Sequence, residues 1–475
     1  METINILDIV QAVGASEFTA PGPDHEINIT GVEFDSRKIK PGDLFVPLTG
    51  GASDGHDYVV NAIEQGAVAT FWSREADSAP IDQLAVIYVD DTLRAMQSLA
   101  NYYRHLIDPI VIGITGSNGK TTTKDMMANA LTAKYHIHKT EGNYNNEIGL
   151  PYTILSMPKE TEVAVLEMGM SGFGEIALLS HIAEPDIAVI TLIGESHLEF
   201  LGSRAGIAQA KLEILSGLNP EGVFIYPGAE PLITDFLEDW VSSVECISFG
   251  LEEDNDVYAY DIIEEKDQTY FKTNLDSNVI CKIPVMGAYN VNNALVALSV
   301  AKRLNVPIEQ AIFQLAQFKL TASRLEWIQA DNGLQVLNDA YNASPTSMKA
   351  VLQAFARLQR PKGGRRIAVL GDIRELGEKS EAYHRSIAEV IDPETIDLVY
   401  LFGDEMGALY EEIHPNYPSD QIHYIRKDHD RLIERIQASI RPEDIVLVKS
   451  SLGVDLLQVV TALTNHETHN FLRKE

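Results

Sequence analysis

The chain has 475 residues, 45% of them hydrophobic and 22% charged, the balance of an ordinary globular protein with room for roughly two to four domains. Lysine and arginine number 37 against 69 aspartates and glutamates, a net charge of −32. That excess argues against non-specific nucleic-acid binding and against docking on anionic lipid, which both need clustered positive charge. Cys246 and Cys281 are too few for a disulfide scaffold and read as reduced thiols. The opening METINILDIV lacks the basic and apolar regions of a signal peptide, and there is no apolar run of membrane-spanning length. A cytoplasmic location is the expectation.

Residues 1–107 alternate strand-like pieces at 31–34, 43–48, 67–72 and 86–89 with helices at about 58–65 and 91–105. In the second helix Leu93, Met96, Leu99, Ala100 and Tyr103 recur near helical spacing. Asp108-Pro109 punctuates the chain. Residues 108–322 open on an apolar strand at 110–114, followed by a glycine-rich turn and a helix from about 120. Further buried strands are expected at 163–167, 186–192 and 222–226, and a helix at 288–304 closes the region. The alternation predicts a mostly parallel sheet covered on both faces. Residues 323–475 repeat the rhythm, with strands at 335–338, 366–370, 398–402 and 445–449 and helices near 346–358, 380–391 and 430–440. The expected fold is therefore α/β in three domains: a smaller N-terminal α/β domain (1–107), a central P-loop-type parallel-sheet domain (108–322) and a C-terminal, doubly wound Rossmann-like domain (323–475).

The strongest local signal is Gly113-Ile114-Thr115-Gly116-Ser117-Asn118-Gly119-Lys120-Thr121-Thr122, between a strand and a helix. Glycines let backbone amides approach phosphate, and the helix N-terminus adds a positive dipole. Lys120 can reach the β- and γ-phosphates, and the Thr121 hydroxyl can ligate Mg²⁺. The spacing departs from the Walker pattern, because Ile114 stands where a glycine belongs and Gly116 lies inside the loop. The loop implies a nucleotide, not a reaction. Glu167 ends a strand beside it, either placed to hold Mg²⁺ or simply starting a surface loop. His197, in Gly194-Glu195-Ser196-His197, reads equally as a structural hydrogen-bonder or a metal ligand. Lys211, read alone, is a solvated helix lysine.

Together these residues resemble the Mur ligase family, the ATP-dependent amide ligases of peptidoglycan precursor synthesis, over nearly the whole chain. Thr115–Thr122 is similar to that family's phosphate loop, which folylpolyglutamate synthases share. The segment from Glu141 to Pro151, Glu167-Met168-Gly169-Met170-Ser171, Gly194–His197 and Asn290-Val291-Asn292-Asn293 resemble further family blocks. Within the family the likeness is greatest to the branch that joins D-alanyl-D-alanine to UDP-N-acetylmuramoyl-tripeptide. Asn143-Tyr144-Asn145-Asn146, the run from Asp339 to Pro345 with Ser347-Met348, and the run from Gly371 to Gly377 with Tyr383-His384 carry it. Asp35-Ser36-Arg37, Pro41–Phe45 and Asp54-Gly55-His56-Asp57 resemble the UDP-binding domain of that branch. Three positions depart from the pattern: Ser344 replaces an Asn, Tyr289 a His, and Ser450 a Gly.

The resemblance implies phosphoryl transfer from ATP to the tripeptide's terminal carboxylate, giving an acyl phosphate that the dipeptide's amine attacks. It implies ATP and Mg²⁺ as cofactors, and the two peptide substrates as the only partners of a monomer, with no nucleic acid and no stable membrane anchoring. Lys120, Glu167, His197 and Lys211 would be catalytic. Thr121, Glu167, His197 and a carbamoylated, CO₂-derived Lys211 would hold metal. Thr115, Gly116, Ser117, Asn118, Gly119, Lys120, Thr121, Thr122, Asn290, Asn293, Arg324 and Asp339 would bind ATP. Ser36, Arg37, Asp54, Gly55 and His56 are the implied uridine-diphosphate residues. Asn143, Asn145, Asn146, Asn342, Ser344, Arg374, Tyr383 and His384 would meet the peptide substrates. Joints near residues 107 and 322 would be hinges. The rivals are another Mur-type or folylpolyglutamate-type ligase, and a nucleotide-binding regulatory protein that has lost catalysis.

Overall fold

The computed structural model describes residues 1–22, 27–51 and 53–465. Of the expected third domain, residues 466–475 lie outside the described residues. The apolar run after Pro109 forms the strand Ile110–Thr115, seventh in a nine-stranded sheet. Val111 enters one core with Leu166, Ala188 and Ile190, whereas Ile112 and Ile114 enter another with Val163, Val165 and Val189. Burial on both faces is why these strands read as continuous apolar runs.

From edge to edge the sheet runs Asp276–Ile283, Thr269–Thr273, Val257–Glu264, Glu245–Gly250, Val223–Pro227, Ile187–Ile190, Ile110–Thr115, Val163–Glu167 and Ile137–Lys139. It is parallel from Ile137–Lys139 to Val257–Glu264, and the last two strands are antiparallel. The antiparallel extension is absent from the sequence reading, because only Val257 and Ala259 of Val257–Glu264 and Cys281 and Ile283 of Asp276–Ile283 are buried, too few to read as buried apolar strands. The helix Tyr289–Arg303 does not close the region as expected, since Ile308–Leu315 follows it after Pro307.

In the C-terminal region a six-stranded sheet runs Glu326–Gln329, Gln335–Asp339, Ile445–Lys449, Arg366–Gly371, Leu398–Phe402 and Ile422–Ile425. It is parallel except at its first pair. Apolar cores cover both faces, one with Leu337, Leu370 and Leu447, the other with Val336, Val369 and Val448. Strand order reverses around Ile445–Lys449, so Asp339, Lys449 and Gly371 end at the crevice where such sheets bind ligands.

The N-terminal region holds a five-stranded sheet, Glu17–Thr19, Ala85–Tyr88, Ala69–Trp72, Asp43–Phe45 and Gly31–Glu33. Its helix Thr92–Ile107 puts Ala95, Met96, Leu99, Ala100 and Tyr103 into the same apolar core as Leu150, Ile154 and Leu179 of the central region. The Tyr103 hydroxyl donates to the Met157 carbonyl at 2.7 Å, and the Arg104 guanidinium to the carbonyls of Ala183 and Glu184 at 3.1 Å. A shared core stitched by buried hydrogen bonds does not behave as a hinge, which corrects the expectation at residue 107. At residue 322 the chain instead crosses between two separately built sheets.

Candidate functional site

The glycine-rich loop leaves the strand Ile110–Thr115 and turns into the helix Lys120–Leu131. Gly116 sits at φ +148°, where a Cβ would lie 1.9 Å from Thr191 Oγ1. Gly119, at φ +82°, would meet Asn293 Oδ1 at 2.6 Å. Only glycine fits either position. The loop is fastened to the end of the next strand: Ser117 N donates to the Leu192 carbonyl at 2.8 Å, and Thr191 Oγ1 to the Asn118 carbonyl at 2.6 Å. Gly194 N donates to Ser117 Oγ at 2.8 Å. The first amides of the helix have no partner within it, so the loop presents donors to an anion. Lys120 folds back and donates to the Gly116 carbonyl at 2.8 Å. Burial lowers its ammonium pKa and Arg324 adds to this, while Glu167 opposes it. Among the described residues the Thr115 hydroxyl is buried with no partner, and Thr122 is buried.

Glu167 is buried at the loop's side. Its Oε2 accepts from Thr121 Oγ1 and its Oε1 from Asn145 Nδ2, both at 2.9 Å, and its amide donates to Thr140 Oγ1 at 2.9 Å. Thr121 and Glu167 therefore converge as oxygen donors at the phosphate end, with Asn145 steering the carboxylate. Among the described residues no cluster of three His, Cys, Asp or Glu side chains forms a metal cage.

Lys211 is not the solvated lysine of its local sequence. It is 1% exposed, no hydrogen bond or ion pair holds it among the described residues, and burial, with Lys120 nearby, drives its ammonium pKa well below the ordinary value. His197 lies at φ +63° at the start of the short helix Leu198–Leu201. Its Nδ1 meets Glu375 Oε2 at 2.5 Å, a bond that holds the Glu375 carboxyl below its usual range. Glu375 belongs to the C-terminal region. The sequence reading named its neighbour Arg374, whose side chain is exposed and whose amide donates to Ser451 Oγ at 3.0 Å.

Two further bonds seat the C-terminal region on the phosphate loop. Asn118 Nδ2 donates to Ser344 Oγ at 2.9 Å, and Thr346 Oγ1 to Glu195 Oε2 at 2.7 Å. Ser344 also caps the helix Pro345–Arg357 in a capping box with Ser347, so the serine that departs from the family pattern has two structural tasks. Arg324 stacks 4.5 Å over the Tyr341 ring, with its Nε buried and unpartnered among the described residues. Asp339 is held by Lys449 Nζ at 2.5 Å, and that ammonium also donates to the Asn342 carbonyl at 3.0 Å. Asn290 Nδ2 donates to the Met286 carbonyl at 2.8 Å and its Oδ1 accepts from Asn293 at 2.9 Å, so Asn293 is the member of the pair packed against Gly119. Tyr289 is packed beside Gly287, and burial with Asp339 nearby raises its phenol pKa.

Two expected substrate contacts are corrected. His384 is fully buried: Nε2 accepts from the Ile373 amide at 3.1 Å and Nδ1 donates to the Ser380 carbonyl at 2.8 Å. His56 is 2% exposed, with Nδ1 on Asp54 at 2.6 Å and Nε2 accepting from the Ser73 amide at 3.2 Å. Both rings use both nitrogens to hold loops and have none left for substrate. Tyr383 stays half-buried beside the cleft. Asp54 also binds Arg74, which the sequence reading passed over. A Cβ at Gly55 would lie 2.6 Å from the Leu48 amide nitrogen. Ser36 is buried and Arg37 is exposed, paired with Asp35. Asn143 and Asn146 are both exposed, and Asn146 accepts from the Gly149 amide at 2.8 Å. Glu33 and Tyr152, 2.9 Å apart, join the N-terminal and central regions under this surface. Sequence reasoning missed Thr140, Glu195 and Glu375; the last two lie inside motifs it had singled out.

Models of the Mur ligase family match three stretches: its catalytic domain at residues 28–104, its middle domain at 114–301 and its glutamate ligase domain at 323–452. A Bacillus subtilis protein named UDP-N-acetylmuramoyl-tripeptide–D-alanyl-D-alanine ligase is 43% identical over 446 residues, covering 94% of this chain and 95% of its own. A crystal structure of MurF from Acinetobacter baumannii superposes with a TM-score of 0.86 at 29% identity, covering 98% of this chain and 100% of the other. MurF ligase from Thermotoga maritima in complex with ADP gives 0.79 at 28% identity, covering 92% and 97%.

Proposed function

The chain belongs to the Mur ligase family, and from that premise we propose that it joins D-alanyl-D-alanine to UDP-N-acetylmuramoyl-tripeptide, using ATP. In this reading residues 1–107 hold the uridine nucleotide, 108–322 the ATP and 323–475 the incoming dipeptide. The observation that carries it is the meeting of two regions over one loop. Ser344, Thr346 and Glu375 reach Asn118, Glu195 and His197, so the crevice of the six-stranded sheet opens toward the phosphate end of the nucleotide site.

A carboxylate oxygen is a poor leaving group, so the tripeptide's terminal carboxylate must be activated. It attacks the γ-phosphorus, ADP departs, and an acyl phosphate remains. The dipeptide amine then attacks the acyl carbon, and inorganic phosphate leaves as the amide forms. Two anions must meet in the first step, and the chain supplies Lys120, Arg324 and the helix amides to neutralise them. Thr121 and Glu167 would hold Mg²⁺, whose charge would screen the phosphates. His197, whose Nδ1 is taken by Glu375, would use its other ring nitrogen toward the metal or the acyl phosphate. An unpaired amine at Lys211, depressed by burial, is the form that reacts with CO₂, and carbamoylation would convert a cation into a metal-compatible anion. Seating of the C-terminal region excludes water, which would hydrolyse an acyl phosphate.

The test is phosphate release from ATP and Mg²⁺ with UDP-N-acetylmuramoyl-tripeptide, with and without D-alanyl-D-alanine, and the product identified by mass. Release that needs both substrates and yields the pentapeptide is expected. ATP binding without turnover on any such acceptor would overturn the proposal in favour of a regulatory protein.

A further inference from the structure

The segment that crosses to the C-terminal region is held in an uncommon backbone. Ser323 lies at φ +63° and Leu325 at φ +51°, on either side of Arg324, and a non-glycine residue in the left-handed region persists only where its surroundings impose it. On the C-terminal side the restraints are clear. The Ser323 amide donates to Glu326 Oε2 at 2.9 Å, Leu325 N to Asp339 Oδ1 at 3.3 Å, and Asn338 Nδ2 to Ser323 Oγ at 3.2 Å.

On the central side Phe318 is buried in the apolar core and Leu320 and Leu325 pack against it, and among the described residues the polar restraint is a single carboxylate. Asp125 lies in the helix Lys120–Leu131, beyond the phosphate-binding turn. It is 4% exposed; Oδ2 accepts from Thr321 Oγ1 at 2.6 Å and Oδ1 from Lys139 Nζ at 2.7 Å. Lys124 and Lys139 keep it ionised against its burial. The neighbouring Lys124 is fully buried and donates to the Thr140 carbonyl at 2.7 Å, and Thr140 Oγ1 receives the Glu167 amide. Beside this linkage lies an open cavity of about 500 Å³ bounded by Asp125, Asn129, His138, Lys139 and the crossing residues Gln317–Lys319. The crossing segment borders that cavity at Gln317–Lys319, and beyond the apolar packing of Phe318, Leu320 and Leu325 the Asp125–Thr321 bond is what fixes the side chain of Thr321.

We propose that Asp125 is a positioning residue for Arg324: by tying Thr321 to the helix that carries the phosphate loop, it fixes the crossing segment in the conformation that presents the Arg324 guanidinium to the nucleotide. The inference rests on the ligase reading for what Arg324 does, but the attachment itself is tested without turnover.

The experiment compares the wild-type protein with Thr321→Val, Thr321→Ser and Asp125→Asn by amide exchange over residues 319–325 with ADP bound, and by steady-state kinetics. Thr321→Val removes the hydroxyl at nearly constant volume, avoiding the folding risk of changing a buried carboxylate. It is expected to exchange several-fold faster in this segment and to lose roughly tenfold or more in kcat, with the KM for ATP within about twofold. Thr321→Ser keeps the donor and should restore both, whereas Asp125→Asn keeps one acceptor but loses the charge and should fall between the wild type and Thr321→Val. Unchanged exchange in Thr321→Val, or a Thr321→Ser protein as impaired as Thr321→Val, overturns the proposal. A wild-type protein that binds ADP but forms no amide would count against the ligase reading alone, since the exchange comparison still decides the anchor.

Discussion

Lys211 and His384 are both buried polar side chains, yet they differ in whether the fold gives them partners. His384 has two and is a fastening: its neutral Nε2 receives the Ile373 amide at the start of the loop that carries Arg374 and Glu375. His384→Leu leaves that amide unpaired and should cost about 1–3 kcal/mol in denaturant unfolding. The KM for the dipeptide should rise more than that for ATP. Burial lowers the His384 pKa below 6.5, so the unfolded chain takes up a proton that the folded state refuses. Its contribution is complete above pH 6.5 and is lost as pH falls through the depressed value, and the variant should lack that acid-side slope. Lys211 has no partner among the described residues, so Lys211→Met should raise unfolding free energy at pH 7 by about 1–3 kcal/mol in CO₂-free buffer while abolishing ligation. Because burial depresses its pKa below 10.5, the unfolded state holds the extra proton between the two values. Wild-type stability therefore rises with pH over that interval, and the gap to the Met variant narrows. Equal stability of the two proteins at pH 7 would mean that the buried amine is solvated after all.

At the scale of elements, the strand–loop–helix around residues 110–131 was legible because its signals agree: an apolar strand, glycines at the turn and helix formers after it. Even there the sequence could not say which glycine meets what. Gly116→Ala sets a Cβ against Thr191 Oγ1 at a φ that alanine avoids. It should cost about 1–3 kcal/mol and weaken ADP binding by roughly a hundredfold or more, measured calorimetrically; near-native affinity would show that the loop can shift without losing its amides. The antiparallel strands Val257–Ile283 were illegible for the opposite reason, since half-exposed strands scatter their apolar residues. Yet this extension matters to the site, because Glu264 at the end of one strand accepts from Arg357 at 2.9 Å and from the Ala288 amide at 3.1 Å. His56 and His384 were misjudged because a motif shows that a histidine is used but not whether by ligand or by loop. Glu375 was missed because its partner, His197, lies far away in sequence.

Taken whole, the three-domain molecule has two kinds of joint, a body of two domains that share a core and a C-terminal body set against it. The N-terminal and central regions share one apolar core from Ile4 to Ile233, whereas the C-terminal region receives Met286 into its own core and meets the phosphate loop and its flanking strand end through polar side chains at Ser344, Thr346 and Glu375. Polar contacts of this kind are individually worth only about 0.5–1.5 kcal/mol, more where one partner is charged, so seating should be reversible and sensitive to the loss of a few of them. A Ser344→Ala, Thr346→Val, Glu375→Ala protein keeps the apolar cores intact and should lose little more stability than the Ser344 cap contributes, about 0.5–2 kcal/mol. In solution scattering it should show a larger radius of gyration, and the difference should shrink when an ATP analogue and UDP-N-acetylmuramoyl-tripeptide are added, because ligands that bind the seated form better pull the population toward it. Its kcat should fall more than its affinity for ADP, which the central region holds by itself. A variant with wild-type dimensions in the absence of ligand would mean that the connection through residues 317–326, and not the polar contacts over the phosphate loop, sets how the two bodies meet.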